Sequence, residues 1–124
     1  MEVDHVVALA DAWQKGAAGW PWAKRVALAN DPLELLATAT GTNRSKGSGD
    51  AATWLPPLRT ARCAFAARQV AVKAKYGLGV TRAERDALRR LLTPCPAEPL
   101  PTSDAPTVAP LRSPSPRPSA TPRG

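Results

Sequence analysis

The stretch Glu2-Val3-Asp4-His5-Val6-Val7-Ala8-Leu9 (E-V-D-H-V-V-A-L) holds the only histidine of 124 residues, beside an acid and inside an apolar run. Its valines and weak alternation predict a β-strand. A strand needs a partner, and the apolar run Leu33 to Ala39 is the nearest candidate. Neighbouring strand residues point to opposite faces, so Asp4 and His5 diverge, less strictly at a strand end. Histidine is the side chain whose ordinary pKa suits it to take a proton at neutral pH.

Outward from this strand the pattern becomes helical. Ala10 to Lys15 reads as a short helical turn with Trp13 facing inward. Trp20-Pro21-Trp22 opens a second helix, since proline fits a first helical turn. Trp22, Val26 and Ala29 share one face of it, Lys24 and Arg25 face water, and Asn30-Asp31-Pro32 ends it. After the second apolar run, Thr40-Gly41-Thr42 reads as a turn leading into the basic run Asn43-Arg44-Ser45-Lys46-Gly47. Asp50 to Trp54 reads as a short helix ended by Leu55-Pro56-Pro57. Cys63 to Tyr76 spaces Phe65, Val70 and Val72 helically, and Gly77 breaks it. Thr81-Arg82-Ala83-Glu84 has the form of a capping box for a last helix with Leu88, Leu91 and Leu92 inside. The fold class expected is α+β: a small β-hairpin with added helices.

Ten of the 14 prolines lie at or after Pro94. Such a composition cannot bury enough apolar surface to offset the entropy of ordering. The expected organisation is therefore a domain over 1–93 and a disordered Pro-rich tail over 94–124. That tail carries three arginines against two acids, so +6 of the net charge of +7 belongs to the domain. A basic domain suits an anionic partner, nucleic acid first, or simply keeps the protein soluble. Cys63 and Cys95 allow one pairing, and both sit at the ends of helical segments, so a bridge is geometrically conceivable. No run approaches the length of a membrane span, and no signal peptide is read at the start. The chain as written is therefore expected in the cytoplasm, and outside it if the true start lies upstream.

V-D-H-V-V-A-L, followed by N-D-P-L-E-L-L-A-T-A-T-G-T-N-R-S-K-G and then W-L-P-P, resembles the HNH endonucleases, also called His-Me finger or ββα-metal nucleases. The likeness covers residues 2–95. It points to an actinobacterial branch related to the C-terminal domain of GmrSD-type restriction enzymes, with the front of the domain truncated. The resemblance implies a hairpin-and-helix core and metal-dependent hydrolysis of DNA. It implies His5 as general base, and Asp4 and Asn43 as ligands of one divalent ion, Mg²⁺ or Mn²⁺, with Asn43 at the start of a helix. It also implies Lys46 as a basic catalytic residue near the phosphate, and Arg44 and Lys46 as nucleic-acid contacts. Relatives in this branch are typically exported, which fits a Cys63–Cys95 disulfide. Glu34 stands where the family usually has an asparagine that braces the loop. A glutamate can still accept backbone N–H groups, but the carboxylate cannot donate as the asparagine does.

The alternative is a catalytically impaired remnant that binds nucleic acid through its charge alone. A third reading gives the function to the Pro-rich tail as a linker or peptide ligand. Trp13, Trp20 and Trp22 are expected in the core rather than as base-stacking platforms. Two cysteines and one histidine cannot make a zinc finger, and G-T-N-R-S-K-G lacks phosphate-loop spacing.

Overall fold

The computed structural model describes residues 1–110. Strand β1 (Glu2–His5) is followed by helix α1 (Leu9–Gln14), a 3₁₀ turn (Ala17–Gly19) and helix α2 (Trp22–Asn30). Strand β2 (Leu35–Thr38) and helix α3 (Thr40–Lys46) come next. A 3₁₀ turn (Arg59–Ala61), helix α4 (Arg62–Tyr76) and helix α5 (Arg82–Leu92) complete the elements. The class is α+β, as expected.

The two apolar runs pair as an antiparallel ladder, Asp4 opposite Leu36 and His5 opposite Leu35. The strand is shorter than the run Glu2 to Leu9, because α1 begins at Leu9. Helix α3 packs against β1, completing two strands and a helix. The main core gathers Val7, Leu28, Leu33, Val72 and Tyr76 between β1, α2 and α4. A second cluster joins Ala51, Ala66 and Leu88 with Phe65 and Leu91, seating α5 on α4. Gly77 ends α4 in the left-handed conformation at φ 68°, where glycine carries no steric penalty.

Several local expectations are corrected. Thr40-Gly41-Thr42 is the first turn of α3, not a turn between elements. Asp50 to Trp54 makes hydrogen-bonded turns rather than a helix. The Thr81 hydroxyl does accept the Glu84 N–H at 3.1 Å. The Glu84 carboxylate does not reach back to complete the box; it is fully buried against Lys15 and Lys73. Trp20 is partly buried and stacks on Tyr76 with ring centres 6.0 Å apart. Trp13 and Trp22 stay 53 % and 64 % exposed, so neither is a core residue. Helical spacing places residues on one face, but α1 and α2 turn those two rings to solvent.

Of the Pro-rich tail expected from residue 94, residues 94–110 are described. This stretch has no helix or strand, yet it lies on the domain. Lys75 Nζ donates to the carbonyls of Ser103 at 3.1 Å and Ala105 at 2.8 Å. The Ala109 N–H donates to the Ala23 carbonyl at 2.9 Å, and Ala109 packs on the main core. Proline-rich chain can dock without secondary structure when a folded surface supplies donors and acceptors for its backbone. The rest of the expected tail, 111–124, lies outside the described residues.

Candidate active site

Glu2 and Asp4 fall on the same face of β1, the face that α3 covers, by the two-residue period of a strand. Residues three apart on a helix also share a face, and Asn43 and Lys46 meet the strand in register. Asn43 Nδ2 donates to Glu2 Oε1 at 2.7 Å. Lys46 Nζ donates to Asp4 Oδ1 at 2.9 Å and Oδ2 at 3.1 Å, and also to the His5 carbonyl. Asp4 and Lys46 are both buried. Lys46 thus turns its ammonium inward. Arg44, on the same helix, is exposed and makes no ion pair among the described residues.

His5 leans the other way, toward α2. Its Nε2 lies 3.1 Å from the Ala29 carbonyl oxygen. A carbonyl can only accept, so Nε2 carries a proton, and in the neutral ring Nδ1 holds the lone pair. Although Asp4 and His5 sit on opposite faces, both line one open cavity of about 260 Å³ with Asn43, Gly47 and Ser48. A hollow between α4 and α5 contains none of the candidate site residues Asp4, His5, Asn43, Arg44 and Lys46.

The chain just beyond His5 is held by two buried side chains. The Val7 N–H donates to Glu34 Oε1 at 2.6 Å, and Gln69 Nε2 donates to the Val6 carbonyl. Glu34 and Gln69 therefore clamp both polar groups of one peptide unit. Burial pushes the Glu34 carboxyl up to about 8; Asp4 and Asp31 add to this, and the Val7 N–H and Lys46 oppose it. At neutral pH Glu34 is chiefly the neutral acid.

A second charged cluster lies elsewhere. Asp11, Asp50 and Glu84 bring carboxylate oxygens within 4.8 Å of one another, the spacing a metal ion would need. Lys15 Nζ sits among them at 2.7, 3.2 and 2.9 Å. Lys73 adds a contact of 3.0 Å to Asp11 and another to Glu84. Two ammonium groups thus already serve the three acids. Burial alone would depress the Lys15 pKa, but hydrogen bonds to Asp11 and Glu84 raise it.

Three of these features were missed in the sequence. Glu2 carried a signal, its two-residue spacing from Asp4. Gln69 and the Lys15–Lys73 cluster carried none, because buried and solvated lysines look alike in a helical pattern.

A profile described as GmrSD restriction endonucleases, C-terminal domain, matches residues 1–91. An uncharacterized secreted protein of Arthroderma benhamiae is 38% identical over 97 residues, covering 77% of this chain and 48% of that protein. The chain thus spans about half the length of this curated relative. No solved structure matches.

Proposed function

The chain belongs to the family of GmrSD restriction endonuclease C-terminal domains, and we propose from that premise that it is an HNH-type endonuclease hydrolysing DNA phosphodiesters with a divalent metal ion. The observation that carries this reading is the His5 Nε2–Ala29 carbonyl contact at 3.1 Å. It fixes the ring tautomer and leaves Nδ1 to accept a proton from water, beside Asp4 and Asn43 in one cavity.

The donor set fits a hard ion. Asp4 offers a carboxylate, and the Asn43 amide oxygen accepts no hydrogen bond among the described residues. Mg²⁺ or Mn²⁺ held there would polarise the scissile phosphate and stabilise the leaving oxygen. The chain's own groups do the rest. His5 removes the proton of the attacking water. Glu34 and Gln69 hold the backbone that aims it. Arg44 is free to meet the DNA backbone. Lys46 balances Asp4 at rest, and a Lys46 released from Asp4 is placed to meet the phosphate. The Cys63–Cys95 disulfide supports an oxidising compartment, in keeping with the similarity to a secreted protein of Arthroderma benhamiae.

One observation favours a second reading, a basic module that binds DNA without cutting it. Lys46 satisfies both oxygens of Asp4, so the carboxylate needs no metal. Plasmid cleavage by the purified chain with Mg²⁺ or Mn²⁺, beside EDTA and His5→Ala controls, separates the two. Metal-dependent cutting lost in His5→Ala supports the nuclease. Binding without cutting by the folded chain supports the module.

A further inference from the structure

Trp13 on α1 and Trp22 on α2 are exposed on the walls of one apolar groove of about 300 Å³. Between them lies Arg25, its guanidinium carbon 5.3 Å from the Trp13 ring centre and 6.0 Å from that of Trp22. Arg25 is not a mobile surface cation. Its NH1 donates to the carbonyls of Ala17, Ala18 and Trp20 at 3.2, 3.3 and 3.0 Å. The fixed cation orders the two indoles by cation–π attraction without covering them.

The groove adjoins the candidate active site. Leu9 lines both cavities, and Ala29, which holds His5 through its carbonyl, lines the groove. Two large π-faces are thus exposed in a domain of net charge +6, next to the residues assigned to a phosphodiester. Exposed indoles on one apolar groove offer surface that an occupant would take out of water. A group that is flat, apolar on its faces and attached to a polyanion suits both the rings and the charge.

We infer that Trp13 and Trp22, ordered by Arg25, form a stacking platform for unpaired bases of single-stranded DNA whose backbone runs past His5. The inference rests on the nuclease reading for the direction of the strand. It gives that reading a substrate preference: DNA with splayed or unpaired nucleotides beside the cut. A duplex keeps its bases stacked on each other and offers the platform no π-face.

The test is binding of a fluorescently labelled oligo-dT and of a duplex of equal length, by anisotropy in EDTA, so that nothing is cut. The full chain should bind oligo-dT more tightly than duplex. Trp13→Ala and Trp22→Ala should each weaken oligo-dT binding roughly 5- to 150-fold, the range of one base–aromatic stack. Duplex binding, driven by charge, should stay within about twofold. Trp13→Phe and Trp22→Phe keep a π-face and should recover most of the loss, which a misfolded variant would not. Equal loss on both DNAs, or no loss on oligo-dT, overturns the inference, and a groove built for a protein partner would give the second result. Binding in EDTA is read without cleavage. Failure of plasmid cleavage therefore strikes the nuclease reading, whereas failure of the tryptophan dependence strikes only the platform.

Discussion

The Lys46 ammonium lies 2.9 and 3.1 Å from the two carboxylate oxygens of Asp4, joining α3 to β1 across 42 residues of chain. Both side chains are out of water, so each is the other's solvent. A buried pair adds little net stability over an apolar one, but removing one member leaves a stranded charge.

Lys46→Met should therefore destabilise the fold by about 3–5 kcal/mol. Asp4→Asn combined with Lys46→Met should recover part of that loss. Urea titrations of the two single variants and the double variant measure the coupling. Strict additivity would show that the pair does not hold α3 on β1.

Glu34 makes stability depend on pH in an unusual direction. Its folded pKa of about 8 lies above the ordinary value of 4.5, so the folded state keeps a proton that the unfolded chain has released. Its contribution is complete below pH 4.5 and is lost as pH rises through 8. Glu34→Gln keeps the neutral shape and should remove this slope, leaving the variant more stable than wild type at pH 9 by up to a few kcal/mol. Thermal melts across pH 5 to 9 read it directly.

Asp31 titrates the opposite way. Burial would raise its carboxyl, but the Lys75 ammonium, the Leu33 N–H, Ser103 and Tyr76 hold it down to about 2. That stability is present above pH 3.8 and is lost as pH falls through 2. Asp31→Asn should flatten the acid limb of the unfolding curve.

Catalysis should respond differently to each candidate ligand and to the base. EDTA should abolish plasmid cleavage, and added Mg²⁺ or Mn²⁺ should restore it. His5→Ala should lower the rate at least roughly 100-fold at any metal concentration, the scale of a lost general base. Asn43→Ala should instead raise the metal concentration needed for half-maximal cutting.

Cys63 and Cys95 are bridged, with Cα atoms 6.4 Å apart, tying the start of α4 to the chain after α5. Reduction, or the double Cys→Ser variant, should cost about 2–4 kcal/mol, measured by denaturant midpoint with and without reductant.

The strands were readable because apolar residues in short runs announce them, and the Thr81 cap was readable because its geometry is local. Helix α3 was not. Thr40, Gly41 and Thr42 are poor helix formers, and the helix stands on tertiary contacts: Asn43 to Glu2 and Lys46 to Asp4. Only the family resemblance put a helix at Asn43. The candidates Asp4, His5 and Asn43 line one cavity, whereas the partners of the candidate residues were not legible. Nothing in N-R-S-K says that the lysine folds inward and the arginine outward. Trp13 and Trp22 misled for a related reason: hydrophobicity predicts burial on average, and these two rings are exceptions.

The docked stretch from residue 94 to 110 separates two kinds of boundary. The inherited unit, marked by the family match, ends at residue 91, whereas contacts continue to Ala109. A fragment cut at the inherited boundary would strip Lys75 of two carbonyl acceptors and uncover the edge of α2. Portability to another protein therefore has to be judged on the longer unit. What similarity outlines as a cassette is, physically, a cassette with its own clasp.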